Sequence, residues 1–150
     1  MTTSDDLDHL HAAAIERLTA HGHRYTRARR RIVTLLDEAS APVTIPQLLD
    51  IDGDLAQSST YRNVAILEEA GVATRILVAD DHARYELDER VTKRHHHHLI
   101  CVECGEVQDF ELSMELERSL DEALERAGRS ATFRVERHRL DALGSCESCD

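Results

Sequence analysis

The chain has 150 residues, of which 41% are hydrophobic and 31% charged, with a formal net charge of −11; that suits one ordinary folded domain or two small ones. No stretch approaches the ~20 apolar residues of a membrane span, and residues 1–6 are acidic where a secretion signal would be basic and then apolar, so the expectation is a cytoplasmic protein with no membrane partner. The acidic balance excludes indiscriminate nucleic-acid binding, although charges more than ~8 Å apart are largely screened and a local basic patch can still act.

Leu7, Leu10, Ala14 and Leu18 recur at helical spacing and predict a first helix, capped by Asp5 or Asp6 and ending near His21-Gly22. Thr26 opens a second, with Ile32, Val33, Leu35, Leu36 and Ala39 as its buried stripe; Arg24, Arg27, Arg29, Arg30 and Arg31 crowd its start and form the one strong basic cluster. Pro42 breaks that helix, Thr44 and Pro46 open a short third, and Asp52-Gly53-Asp54 forms a turn. A fourth helix starts near Ser58, turns Val64 and Leu67 inward, and meets a left-handed stop at Gly71. Residues 72–79 and 83–87 are β-rich and are joined at Asp80-Asp81-His82 as a hairpin. Helices followed by a hairpin in this order read as a winged helix-turn-helix over residues 1–88. The charged stretch 89–94 lacks apolar periodicity and reads as a hinge.

Residues 95–150 read as a small α/β domain. Residues 99–102 and 107–110 form a hairpin turning at Cys101-x-x-Cys104-Gly105. Residues 113–127 are a helix with Leu116, Leu120, Leu124 and Ala127 on one stripe and Gly128 as its stop, and residues 133–143 are strand-like. The whole is an α+β protein of two domains.

Four consecutive histidines, His95 to His98, lie inside the chain, unlike a terminal tag, and run straight into the first cysteine pair. In a reducing cytoplasm the pairs Cys101/Cys104 and Cys146/Cys149 favour zinc over disulfides. Their separation exceeds that of a zinc ribbon, but a strand, a helix and a strand between them can bring the ends together as a Zn(Cys)4 knuckle. A core this small is marginal alone, and structural zinc contributes roughly 10–16 kcal/mol in finger peptides. Redox dithiols are the alternative. A strand leading into Leu99 and Ile100 would point alternate side chains to opposite faces, pairing His96 with His98 and His95 with His97. Two sites of two imidazoles follow, against the bland reading of a solvated polyhistidine loop. Glu86 could reach one pair and Glu117 with His138 the other, though each taken singly reads as a surface acid or an ordinary strand residue.

At the start of the fourth helix, Gln57, Ser58, Ser59, Thr60, Tyr61, Arg62 and Asn63 can all bond bases or phosphates, as a recognition helix would. Arg24 and Arg29, within the basic cluster, would supply phosphate contacts, and Arg75 or Arg84 could touch the backbone from the wing. A solvated charged face is the alternative for the arginines.

Together, His-His-x-His-Leu-Ile-Cys-x-x-Cys-Gly at residues 95–105, Ser-Thr-Tyr-Arg-Asn at 59–63 and His138 eight residues before Cys146 resemble the ferric uptake regulator family of metal-dependent transcriptional repressors, over nearly the whole chain. The resemblance implies a homodimer bound to a palindromic double-stranded operator, with structural zinc at Cys101, Cys104, Cys146 and Cys149. It implies a regulatory hinge site at Glu86, His96 and His98, and a second metal site at His95, His97, Glu117 and His138. A nitrogen and oxygen site suits Fe(2+) or Zn(2+), with Mn(2+) and Ni(2+) also compatible. Two positions depart from the family. Its DNA-binding-domain histidine falls near Pro42, and the cysteine of zinc sensors falls near Glu86. The fourth hinge ligand is left open among His82, Asp81, His23, His9, His11 and water. Peroxide sensors of the family usually carry Asp where this chain has Glu86. Rival readings are a peroxide sensor, a metal buffer or redox switch that does not bind DNA, and a zinc enzyme; the last lacks any His-Glu-x-x-His signature, and no enzyme activity is expected.

Overall fold

A computed structural model describes residues 3–78 and 83–150, and the chain divides into two compact units, Met1–Arg94 and His95–Asp150. In the first, α1 (Ser4–Ala20) is capped by Thr3 in a reciprocal box with Asp6, so Asp6 closes the cap from inside the helix instead of forming it. α2 (Arg27–Glu38) is capped by Thr26. β1 (Val43–Thr44) leads into α3 (Ile45–Ile51), whose Thr44 and Gln47 side chains cap each other's backbone with Pro46 in the first turn. α4 (Gln57–Glu69) has no side-chain cap and ends at Gly71, which takes φ 68°. β2 (Ala73–Ile76) and β3 (Arg84–Leu87) are antiparallel, and β1 adds to β3, giving the order β1-β3-β2. The turn expected at residues 80–82 lies outside the described residues.

One apolar cluster fills this unit. Leu10, Ala14 and Leu18 of α1 meet Ile32, Val33, Leu35 and Leu36 of α2, Leu48 of α3 and Val64 and Leu67 of α4. The stretch expected as a charged hinge starts inside this unit. Glu89–Thr92 form a helical turn, α5, capped by Asp88, and Val91 is buried in the same cluster. One apolar residue in a four-residue turn leaves no periodicity to read, which is why composition alone made it a linker.

The second unit holds β4 (His97–Cys101), β5 (Val107–Phe110), α6 (Met114–Ser130) and β6 (Asp141–Gly144), in the sheet order β5-β4-β6. β4 runs antiparallel to β5 and parallel to β6. Two expectations are corrected here. α6 continues through Gly128 to Ser130, and Thr132 takes the left-handed turn at φ 55°. Gly128 is needed for space: a Cβ there would sit 2.5 Å from the Phe133 carbonyl oxygen, where the chain folds back and the Phe133 N–H bonds Gly128 O at 2.7 Å. The expected strand over residues 133–143 shrinks to Asp141–Gly144, because the parallel ladder with β4 starts only at the His98–Asp141 pair.

Candidate metal centres and nucleic-acid interface

Hairpin geometry builds the first centre. Gly105 turns back at φ 73° with its N–H on Cys101 O at 3.0 Å, and β6 delivers the second pair beside the first. The sulfurs of Cys101, Cys104, Cys146 and Cys149 all lie within 4.8 Å of one another. Cys104 Sγ and Cys146 Sγ are 3.7 Å apart, against about 3.8 Å for the edge of a tetrahedron with Zn–S bonds of about 2.3 Å. Backbone N–H groups, those of Cys104 and Cys146 first, draw the Cys101 thiol down to about 6. Hydrogen bonding to Cys146 leads the effects that push Cys149 up to about 12, and burial leads those that push Cys146 up. Four sulfurs at this spacing, one of them drawn toward its thiolate, fit structural zinc.

The second centre follows from strand alternation. His97 is fully buried on β4, and His95, His97, Glu117 of α6 and His138 place their ligand atoms within 4.8 Å. His97 Nε2 is 2.6 Å from Glu117 Oε1. Glu117 Oε2 faces His138 Nε2 at 3.2 Å and His95 Nε2 at 3.4 Å, yet it makes no well-formed hydrogen bond. His95 and His138 direct their Nε2 atoms at each other at 3.2 Å. A proton satisfies one such pair at a time, whereas a divalent cation satisfies all four donors; the 3.2–3.4 Å gaps among Glu117, His95 and His138 match the ~3.3 Å edge of a tetrahedron with bonds of about 2.0–2.1 Å. Burial pushes the Glu117 carboxyl up, but the hydrogen bond and charge of His97, with His95 and His138 behind it, hold it below the usual carboxylate range. Asp121 Oδ1 lies 3.0 Å from His138 Nδ1 and orients that ring from behind.

On the opposite face, His98 of β4 and His96, just before the strand, stand with ring centroids 5.0 Å apart. Asp109 on β5, the register partner of His98, presents one oxygen to each ring, 3.8 Å from His96 Nε2 and 3.8 Å from His98 Nε2. Those gaps exceed a hydrogen bond and are ones a cation bridges. Sequence reasoning missed Asp109, although the turn at Cys101–Gly105 fixes the hairpin register and counting back across it would have found it. Glu86 sits on β3 of the first unit. Of the other hinge candidates, His11 is buried with its ring nitrogens on Tyr25 Oη at 2.5 Å and Thr34 Oγ1 at 3.4 Å, which removes it. His23 faces Glu69 at 3.5 Å and His9 faces Asp5 at 3.8 Å. Asp81 and His82 lie outside the described residues.

The structure divides the residues that the sequence led one to expect at DNA. Gln57, Ser58, Tyr61 and Arg62 are exposed on α4, and Ser59 is half-buried. Thr60 is a correction: it is buried at 1% exposure, donates to Ala56 O at 2.8 Å, and belongs to the core because it lies one turn before Val64 on the inner face. Arg24 is exposed. Arg29 is tied down, donating from Nε to Asn63 Oδ1 at 3.0 Å and from Nη1 to Arg24 O, so it joins α2 to α4. Arg31 is paired with Asp52 at 2.5 Å.

Comparison with known proteins shows the family. The profile of the Ferric uptake regulator family matches residues 20–142. The ferric uptake regulation protein of Rhizobium leguminosarum bv. viciae is 33% identical over 138 residues, covering 89% of this chain and 92% of its own. The peroxide operon regulator of Bacillus subtilis (strain 168) is 29% identical over 140 residues, covering 91% and 90%. The structure of the Helicobacter pylori ferric uptake regulator, described as having three functional metal binding sites, superposes with a TM-score of 0.70 at 20% identity over 95% of this chain and 93% of that one, which shows the shared fold. The chain belongs to the ferric uptake regulator family of metal-responsive transcription regulators.

Proposed function

We propose that this protein represses transcription from a palindromic operator as a homodimer, with zinc at the four cysteines, a divalent co-repressor at His96, His98 and Asp109, and a second ion at His95, His97, Glu117 and His138. The observation that carries the reading is the opposed pair of donor sets on the two sides of β4, gathered around His97 and His98, both spaced for a cation and not for hydrogen bonding alone. Sequence resemblance adds Glu86 as a further donor of the regulatory site. Loading that turns a 1:99 population of the operator-competent state into 99:1 requires about 5.5 kcal/mol of preferential affinity. A site that draws donors from separate segments of the chain is of the kind that can supply it, because separating the segments removes ligands. The set of imidazole and carboxylate suits Fe(2+), Zn(2+) or Mn(2+).

Gln57, Ser58, Tyr61 and Arg62 would meet the major groove from α4, whose uncapped first N–H groups suit a phosphate, and Arg24 would contact the backbone. The second copy would cover the apolar surface of the C-terminal unit, where Leu99, Leu116, Phe133 and Leu143 are 44–69% exposed. No helix among the described residues is long and apolar enough to cross a membrane; a DNA partner supports a cytoplasmic location.

The test is His96→Ala with His98→Ala. Metal-dependent operator binding, read by fluorescence anisotropy, is expected to vanish while zinc content at the cysteines and dimer mass stay unchanged; metal dependence equal to wild type overturns the proposal. A second reading, peroxide sensing, is favoured by the peroxide operon regulator among the relatives and by the extra carboxylate of Asp109. It requires that hydrogen peroxide abolish operator binding by the Fe(2+)-loaded protein and spare the Mn(2+)-loaded one.

A further inference from the structure

We propose that Asp141 is a positioning residue of the regulatory site: it holds Nδ1 of His98 so that Nε2 points at the ion, and Arg139 braces it. This rests on reading His96, His98 and Asp109 as a metal site. His98 is the centre strand residue of a three-residue row, with Asp109 opposite it on β5 and Asp141 opposite it on β6. Register partners in a sheet share a face, so the buried imidazole, 3% exposed, is flanked by carboxylates on both sides. They meet different nitrogens. Asp109 Oδ1 faces Nε2 at 3.8 Å, whereas Asp141 Oδ1 is 3.1 Å from Nδ1, at hydrogen-bond distance.

A neutral imidazole carries one proton and offers one lone pair. Donating Nδ1–H to Asp141 therefore leaves Nε2 as the acceptor for an ion, the arrangement in which an outer carboxylate fixes a metal-bound histidine. Asp141 cannot swing freely, because Arg139 grips both of its oxygens, Nε to Oδ1 at 3.1 Å and Nη2 to Oδ2 at 2.9 Å. Its strand is anchored as well. Three residues on, Gly144 pairs with Cys101, and Cys146 donates its N–H to Cys101 Sγ at 3.4 Å. The four-cysteine cluster thereby sets the register that brings Asp141 to His98.

In metal-free protein, long-range 1H–15N correlation spectra are expected to report His98 as the Nδ1–H tautomer in wild type and as a mixture in Asp141→Ala. Co2+ titration in a Glu117→Ala background, which removes a donor of the other centre, is expected to give about 10–100-fold weaker binding for Asp141→Ala, with zinc at the cysteines retained. Asp141→Asn, whose amide oxygen still accepts from Nδ1–H without a charge, is expected to fall between. If tautomer and Co2+ affinity in Asp141→Ala equal wild type while His98→Ala loses the ion, the positioning role is overturned and the metal site stands. If His98→Ala binds Co2+ as wild type does, the metal-site reading falls and this role with it. Should Asp141→Ala lose its zinc, Asp141→Asn and Arg139→Gln carry the test, and an unchanged His98 tautomer in both overturns the role.

Discussion

Thr60 and Tyr61 are neighbours on α4 with opposite fates. The threonine packs inward and bonds Ala56 O, while the tyrosine is 47% exposed. Thr60→Val keeps the shape and loses one hydrogen bond, a cost of about 1 kcal/mol in urea unfolding, and operator affinity is expected to stay at the wild-type value. Arg62→Ala leaves stability unchanged and is expected to weaken operator binding by about 1–3 kcal/mol; the opposite pattern in anisotropy titrations would put Thr60 at the groove. The residue types at 57–63 pointed to a recognition helix, but only the phase of α4 on the core assigns each of them a side. The same limit applies to the metal centres. The alternation of four histidines was legible because it is local to one strand, and Asp109 was within reach through the hairpin turn. Asp121 and Asp141 were not, since an acid on a helix and an acid on a parallel strand meet their histidines only through a non-local crossover.

At the scale of elements, the junction after β3 is held by Asp88, which is 4% exposed and accepts from Arg90 Nε at 2.7 Å and Thr74 Oγ1 at 2.7 Å. Burial pushes its carboxyl up, but the Arg90 and Thr74 hydrogen bonds bring it down to about 2. Because the folded value lies below the unfolded one near 3.9, the stabilisation is full above about pH 4 and is lost as pH falls toward 2, on the order of 2 kcal/mol. Asp88→Asn is therefore expected to cost about that much in urea unfolding at neutral pH, with the gap to wild type closing between pH 4 and 2; a gap independent of pH would remove the ion pair from the account. Gly128 makes a steric case. Alanine there drives a Cβ against the Phe133 carbonyl, so Gly128→Ala is expected to destabilise by about 1–3 kcal/mol although alanine is the better helix former. A gain in melting temperature would show that residues 131–133 can shift. Glycine after an apolar stripe reads as a stop in a sequence; here it is instead the place where the returning chain crosses the helix.

Across the whole molecule the two units are stabilised differently. The apolar cluster from Leu10 to Val91 belongs entirely to the first unit. In the second, the buried apolar side chains are Ile100, Cys101 and Val107, while Leu99, Val102, Met114, Leu116, Phe133, Leu140 and Leu143 are exposed. α6 fully buries only Gly128 within its own chain, and its leucine stripe is only partly covered, Leu116 being exposed and Leu120 and Leu124 half-buried. A unit of this size with so small a core needs metal, a partner or both. Binding free energy at the cysteines is then folding free energy for residues 95–150, and removal of zinc should unfold that part first. Exhaustive chelation is expected to convert the dimer to monomer in analytical ultracentrifugation and to open residues 95–150 to limited proteolysis, leaving a resistant fragment that ends near Arg94. A chelated protein that remains dimeric and protected over residues 95–150 would mean that apolar contact between the two copies, and not the zinc, holds this unit together.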